Sequence, residues 1–346
     1  MSDISSFTAA NQRQTKKFVE RAMAAGRVPF ITACPGVGKS AIIHTIARER
    51  GLKMIDHRLS TSAPEDLNGL PRFTDKGAEF VPFADLFPLE GDSIPQGYNG
   101  WLLFLDELPS APRSVQAAAY KLILDRMVGQ KRLHEMVFVV AAGNRKQDKA
   151  IVNDIGTAMQ SRLIHIEMDA DFKCWQEDVA IPQQFDPRVV AYLSMNPSKL
   201  IDFDPDHQDR TFCCPRTWEF VSDLIKGRPL ESDDAILLAG AITSGEAISF
   251  VQFCHVYDSL PNMQSLIDDP ENAIIPRDPA SLWATTMACV EHTTVENFGD
   301  FMKYMNRLDL VQRVLYFRAT YAKLGAPLRS SRGFTEAAIE LGRYIS

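Results

Sequence analysis

Ala33-Cys34-Pro35-Gly36-Val37-Gly38-Lys39-Ser40 stands between a strand-like run, Val28 to Ala33, and a helix-like run, Ser40 to Arg50. Glycines in such a stretch let backbone N–H groups turn inward, and the helix that follows adds partial positive charge at its N-terminus. A lysine and then a hydroxyl residue after the last glycine suit the β- and γ-phosphates and a magnesium ion. Pro35, Gly36, Val37, Gly38, Lys39, Ser40 and Ala41 are therefore expected to cradle ATP, with Ser40 a ligand of Mg2+. The strict motif opens on glycine, where this chain has Ala33, which serves if its φ is negative.

The next informative stretch is Leu102-Leu103-Phe104-Leu105-Asp106-Glu107, an apolar strand ending in two acids. Asp106 suits the metal and Glu107 suits a general base on the attacking water. A glutamate in that place favours ATP hydrolysis over a GTPase switch or a kinase. Asn144, closing Val139-Val140-Ala141-Ala142-Gly143-Asn144, is placed to orient that water. Arg162, just before a short strand, is a candidate arginine finger for a neighbouring subunit. Arg216 starts a helix at Pro215, where a cation opposes the helix dipole, so a γ-phosphate partner is expected.

The surrounding pattern is α/β. Strand-like Val28–Ala33, Lys53–Leu59, Trp101–Leu105, Met136–Ala142 and Leu163–Ile166 alternate with helix-like Ser40–Arg50 and Val115–Met127. This alternation predicts a doubly wound, mostly parallel sheet covered on both faces. Residues 60–100, rich in Pro, Gly and Asp, interrupt it, and a loop of that length usually has a function. From about 171 the pattern becomes helical. We expect an α/β nucleotide-binding domain at 1–170, a helical lid at 171–260 and a C-terminal helical extension at 261–346.

Composition bounds the rest. The 346 residues are 45% hydrophobic and 23% charged, which excludes disorder and fibres. No apolar run approaches the roughly 20 residues of a membrane span. The N-terminal MSDISSFTAANQRQTKK lacks a signal peptide's apolar segment, so a cytoplasmic location is expected. Six cysteines at 34, 174, 213, 214, 254 and 289 lack zinc spacing and are expected to be reduced and buried. His44 and His165 read as structural, and Trp283, Phe298, Phe301 and Tyr304 as core. The net charge of −7 weighs against wholesale nucleic-acid binding. Lys131, Arg132, Arg145, Lys146 and Lys149 form a basic cluster that sustains the alternative of a nucleic-acid-dependent motor or loader.

Taken together, the P-loop, Ala63-Pro64-Glu65-Asp66-Leu67-Asn68-Gly69-Leu70-Pro71, Leu103 to Leu108, Ala141 to Asn144 and Ser161-Arg162-Leu163 resemble a MoxR-type AAA+ ATPase over roughly residues 10–260. The PEDLxGxP stretch is its most specific piece. The resemblance implies a ring, usually a hexamer, with ATP at each subunit interface. It makes Asn144 sensor 1, Arg162 the arginine finger and Arg216 sensor 2. It also implies a hairpin from the 60–100 insert facing the ring axis and a second hairpin within Arg126 to Leu133. Relatives act as chaperone-like remodellers of protein clients, often beside a von Willebrand factor A domain partner.

Overall fold

The computed structural model describes residues 9–75, 77–83, 86–148, 153–258 and 263–344. Lys76, and Lys149 of the basic cluster named above, lie outside the described residues. Contacts divide the chain into two compact units, 1–169 and 170–346.

In the first unit, α1 (Gln12–Ala24) leads to β1 (Val28–Ala33), α2 (Lys39–Glu49) and β2 (Lys53–Arg58). A short α3 (Pro64–Asn68) and the strands β3 (Leu70–Thr74) and β4 (Gly77–Val81) come next. Then follow β5 (Trp101–Asp106), α4 (Arg113–Asp125), β6 (Met127–Val128), β7 (Lys131–Arg132), β8 (Val137–Asn144), α5 (Thr157–Gln160) and β9 (Leu163–Glu167). Five of these strands form one sheet in the order β2-β5-β8-β1-β9, with every pairing parallel. The doubly wound α/β fold expected from the sequence is thus present.

The central strand explains why the apolar run of 101–105 has no polar break. All six residues of β5 are buried. Trp101, Leu103 and Leu105 join Val137, Val139 and Ala141 of β8 in a core with Val115, Ala119, Leu122 and Ile123 of α4. Leu102 and Phe104 alternate to the opposite face, the side on which α1 and α2 pack. Each side chain so buried contributes about 1.5–3 kcal/mol.

The 60–100 segment is more structured than a loop. The strands β3 and β4 form a hairpin in which Thr74 pairs with Gly77. A second small hairpin pairs Met127 with Arg132 and Val128 with Lys131. The helix expected to reach Met127 stops at Asp125, because Arg126 takes a left-handed φ of 54° and turns the chain into β6. Its guanidinium fixes that turn by donating to the carbonyls of His134 at 3.0 Å and Val137 at 2.8 Å.

The second unit is helical. Its elements are α6 (Phe172–Trp175), continued by a π-helical turn over Gln176–Ala180, α7 (Pro187–Met195), α8 (Pro215–Ile225), α9 (Asp234–Leu238) and α10 (Ser244–Asp258). The chain continues through α11 (Met263–Asp268), α12 (Pro279–His292), α13 (Phe298–Met305), α14 (Leu310–Leu324) and α15 (Phe334–Leu341). Proline occupies the first turn of α7, α8 and α12, and Asp186 and Asp278 cap α7 and α12 through their side chains. One apolar cluster, with Trp175, Trp218, Phe250, Phe298, Phe301 and Tyr304 among its members, runs through the whole unit. All six cysteines are buried. Among the described residues no helix is long and apolar enough to cross a membrane.

Candidate functional site

Ligands of open α/β sheets bind at the carboxyl ends of the strands, where the winding reverses. Here the reversal falls at β1, which has β8 on one side and β9 on the other. The parallel register places Ala33, the last residue of β1, opposite Asn144, the last of β8. On the far side of β8, the end of β5 carries Asp106, level with Arg58 of β2.

Between β1 and α2, Gly36 and Gly38 take φ values of 77° and 93°, the left-handed region that glycine enters without cost. Gly38 occupies the N-cap position of α2 and provides no side-chain cap. A Cβ built on Gly38 meets no atom within 4 Å, so its positive φ, and not crowding, calls for glycine there. Lys39 reaches back across this cradle. Its Nζ donates to the carbonyls of Ala33 at 3.1 Å and Cys34 at 3.2 Å, and to Asn144 Oδ1 at 2.9 Å. Ser40 Oγ points at Asp106 Oδ2 from 3.4 Å, too long for a good hydroxyl hydrogen bond. Two hard oxygen donors at that spacing fit a magnesium ion. The residues present therefore suit a magnesium nucleotide, with Ser40 and Asp106 on the metal and Lys39 on the phosphates.

Asp106 is 8% exposed. Burial raises its pKa above the usual 3.8, opposed by the Glu107 backbone N–H, which donates to Oδ1 at 2.8 Å, and reinforced by the charges of Glu107 and Asp56. A bound divalent cation would reverse that balance.

Glu107 adopts φ 58°, one of three non-glycine residues with positive φ among those described. Such backbone strain persists only where its surroundings hold it. The turn that follows is fixed on several sides. Gln116 Nε2 donates to the carbonyls of Pro109 and Ala111, and Asn153 donates to the same two carbonyls through its backbone N–H and its side chain. Pro109 lies so close to β8 that a Cβ on Gly143 would sit 2.3 Å from its Cδ. Glycine at 143 thus answers a close approach, and the Glu107 turn and the Asn144 strand end are packed as one piece.

The geometry adds residues that the sequence reading did not single out. Ser60 Oγ donates to Glu107 Oε2, and Arg58 Nε lies 3.8 Å from Glu107 Oε1. Both follow from the parallel pairing of β2 with β5, which carries the end of β2 to the acids. His57, beside them, is stacked on Phe87 and shares a 2.9 Å hydrogen bond with Ser62 Oγ. Its pKa is lowered by burial against the opposing charges of Asp66 and Asp56.

Lys39, Ser40, Asp106, Glu107 and Asn144 are thus brought together. Arg162 is not with them. It precedes Leu163, which pairs with Val28 at the start of β1, so it lies about 17 Å along the sheet from the cradle. It is exposed, donates to the carbonyl of Ala158 at 2.7 Å and lies 5.5 Å from the Tyr120 ring centre. Arg216 is exposed on the first turn of α8 in the second unit. Two residues of the basic cluster are paired with carboxylates. Arg145 pairs with Asp148, Glu167 and Asp169, and Lys146 with Asp154, while Lys131 and Arg132 stay exposed.

The buried carboxylate makes a prediction about the nucleotide-free protein. With the folded pKa above the unfolded one, the stability this group contributes is present below the unfolded value of 3.8 and is lost as pH rises through the folded value. Asp106→Asn should therefore raise the Tm of the apo protein at neutral pH, and the gap should close on acidification. A wild-type Tm equal to or above that of Asp106→Asn at neutral pH contradicts the assignment.

No family model and no curated protein matches this chain. Similar solved structures include NtrX from Brucella abortus, at 14% identity over 97% of this chain and 68% of that one, with a TM-score of 0.41. A Thermotoga maritima RuvB mutant is similar at 15% identity over 86% of this chain and 88% of that one, with a TM-score of 0.39.

Proposed function

We propose that this protein is a Mg-dependent ATPase of the AAA+ class, of MoxR type, acting as a ring that remodels or activates a protein client. The observation that carries the reading is the convergence of Lys39, Ser40, Asp106, Glu107 and Asn144 at the carboxyl ends of β1, β5 and β8. Bound magnesium would supply charge neutralisation of the β- and γ-phosphate oxygens. Lys39 and the N–H groups of the 35–41 loop hold the phosphates in place. The Glu107 carboxylate takes a proton from the attacking water as its oxygen bonds to the γ-phosphorus and the bond to ADP breaks. Asn144, within reach of Lys39, holds that water or the γ-phosphate in line. Ser60 donates to one oxygen of Glu107 and so orients the carboxylate, leaving the other oxygen to accept the proton.

The ring reading is supported by Arg162. It sits at the opposite end of the sheet from its own cradle, so a role on ATP requires a second subunit. Arg216, on the second unit, is proposed to meet the γ-phosphate as a further cation. The client reading is supported by the β3–β4 hairpin. Every described residue of β3 is exposed, with Phe73 85% exposed, and Phe80 and Phe83 are exposed beside it. Apolar side chains presented together on a projecting element mark a contact surface. The Arg72–Glu79 cross-strand pair stiffens the hairpin, and Gly129 of the second hairpin, beside Phe80, approaches the Asn68 carbonyl too closely to admit a Cβ. A von Willebrand factor A domain partner and a cytoplasmic location belong to the same proposal. The pairing of Arg145 and Lys146 with carboxylates weakens the nucleic-acid alternative.

Four outcomes are expected, from three experiments. Lys39→Ala should weaken ATP binding roughly 10- to 100-fold, the worth of a charge-assisted contact of about 1.5–3 kcal/mol. Glu107→Gln should bind ATP normally but turn over at least about 100-fold more slowly, as measured by phosphate release. Near-normal turnover in Glu107→Gln identifies a different base. In the second experiment, Arg162→Ala alone should be inactive with its ATP affinity retained, and mixing it with Lys39→Ala subunits should restore part of the activity. No recovery at any ratio, with subunit exchange verified, contradicts a shared site. Lastly, replacing Thr74 to Glu79 with a short Gly-Ser turn should preserve basal ATPase and assembly. It should abolish stimulation by an unfolded model protein such as reduced casein, and stimulation that survives places client contact elsewhere.

A further inference from the structure

Arg162 is held by groups that carry no charge. Its Nη1 donates to the Ala158 carbonyl at 2.7 Å and to Ser161 Oγ at 3.1 Å, and its guanidinium carbon lies 5.5 Å from the centre of the Tyr120 ring. A separation below about 6 Å is that of a cation–π contact. Arg145, Arg188 and Arg318, by contrast, each meet a carboxylate. Among the described residues no acid pairs with Arg162, and its Nε–Nη2 edge has no partner. The difference matters for a cation that has to meet a phosphate. A carboxylate would fix the side chain but cancel its charge and compete with the phosphate oxygens. A ring face and a carbonyl restrict the guanidinium and leave both its charge and one bidentate edge in place.

Tyr120 is a fixed platform. It sits on α4 next to Ala119, Leu122 and Ile123, which are buried, and is itself partly buried against their core. One turn earlier on the same helix, the buried Gln116 donates to the carbonyls of Pro109 and Ala111. Arg162 is tied to the same turn by a second route. Asn153 donates to the Pro109 carbonyl at 2.7 Å through its backbone N–H and to the Ala111 carbonyl at 3.0 Å through its side chain. From there the chain runs through α5 to Arg162. Ring and guanidinium are thus anchored independently to the turn that follows Glu107, and they meet at the far end of both routes.

We propose that Tyr120 is the positioning residue of Arg162, holding an uncancelled guanidinium with its Nε–Nη2 edge turned to the γ-phosphate bound by a neighbouring subunit. The inference rests on the trans role given to Arg162 above. Tyr120 touches no nucleotide and acts through the arginine alone, so its loss slows the neighbour's chemistry and leaves ATP binding in its own subunit intact.

The test compares turnover and ATP affinity of the full chain in two variants. Tyr120→Leu keeps apolar packing but has no π face, and Tyr120→Phe keeps the ring. Tyr120→Leu should lower kcat about three- to tenfold with ATP affinity and Tm unchanged, and Tyr120→Phe should restore it. The affected site is the neighbour's, so a second measurement separates this role from a purely structural one. Lys39→Ala subunits hydrolyse nothing but carry an intact Tyr120 and Arg162. Adding them should raise turnover per Tyr120→Leu subunit to that of wild-type subunits diluted in the same proportion. Wild-type turnover in Tyr120→Leu overturns the inference and leaves the role of Arg162 standing. A defect that Lys39→Ala subunits do not relieve, or that Tyr120→Phe shares, also overturns it. Normal turnover in Arg162→Ala overturns the trans reading of Arg162 and this inference with it.

Discussion

The parallel pairing of β1 with β8 is the constraint on which the site depends. It sets Ala33 opposite Asn144, and from there Lys39 bridges the ends of both strands. A slip of one residue in that register would turn Asn144 to the other face of the sheet. Burial on both faces prevents the slip. Alternate residues of β5 and β8 pack on α4, and the intervening ones face α1 and α2. Hydrophobic packing thus fixes the position of polar groups that contribute little to stability themselves.

The same sheet accounts for the state of the acids. Asp106 ends a fully buried strand, so its carboxylate is held partly out of water with its pKa raised. Glu107 is turned out by a left-handed backbone, which the approach of Pro109 to Gly143 helps to hold. One residue along the chain therefore separates a buried acid suited to a metal from a half-buried acid suited to a proton. That difference in environment, more than residue type, divides their proposed roles.

Much of this was legible in the sequence because it rests on local signals. The glycines at 36 and 38, the unbroken apolar run before Asp106 and the strand closing on Asn144 are each contained in a few consecutive residues. The strand bounds fell within a residue or two of the observed ones for β1, β5 and β9. What stayed hidden was set by pairing across the sheet. Nothing near Ser60 or Arg58 marks them as partners of Glu107; they reach it only because β2 lies beside β5. Arg145 is partnered locally by Asp148, but its other carboxylates, Glu167 and Asp169, come from the end of β9 and just beyond it and carry no local signal.

The central claim is that the Lys39 cradle and the Asp106–Glu107 pair form one magnesium-nucleotide site. A crystal structure with Mg2+, ADP and aluminium fluoride tests it most directly. The account predicts that Lys39 Nζ leaves the carbonyls of Ala33 and Cys34 for the phosphates. It also predicts that the magnesium lies against Ser40 Oγ on the Asp106 side and that the Glu107 carboxylate faces a water in line with the fluoride. Nucleotide bound elsewhere, or Lys39 still on those carbonyls with the fluoride in place, would contradict it.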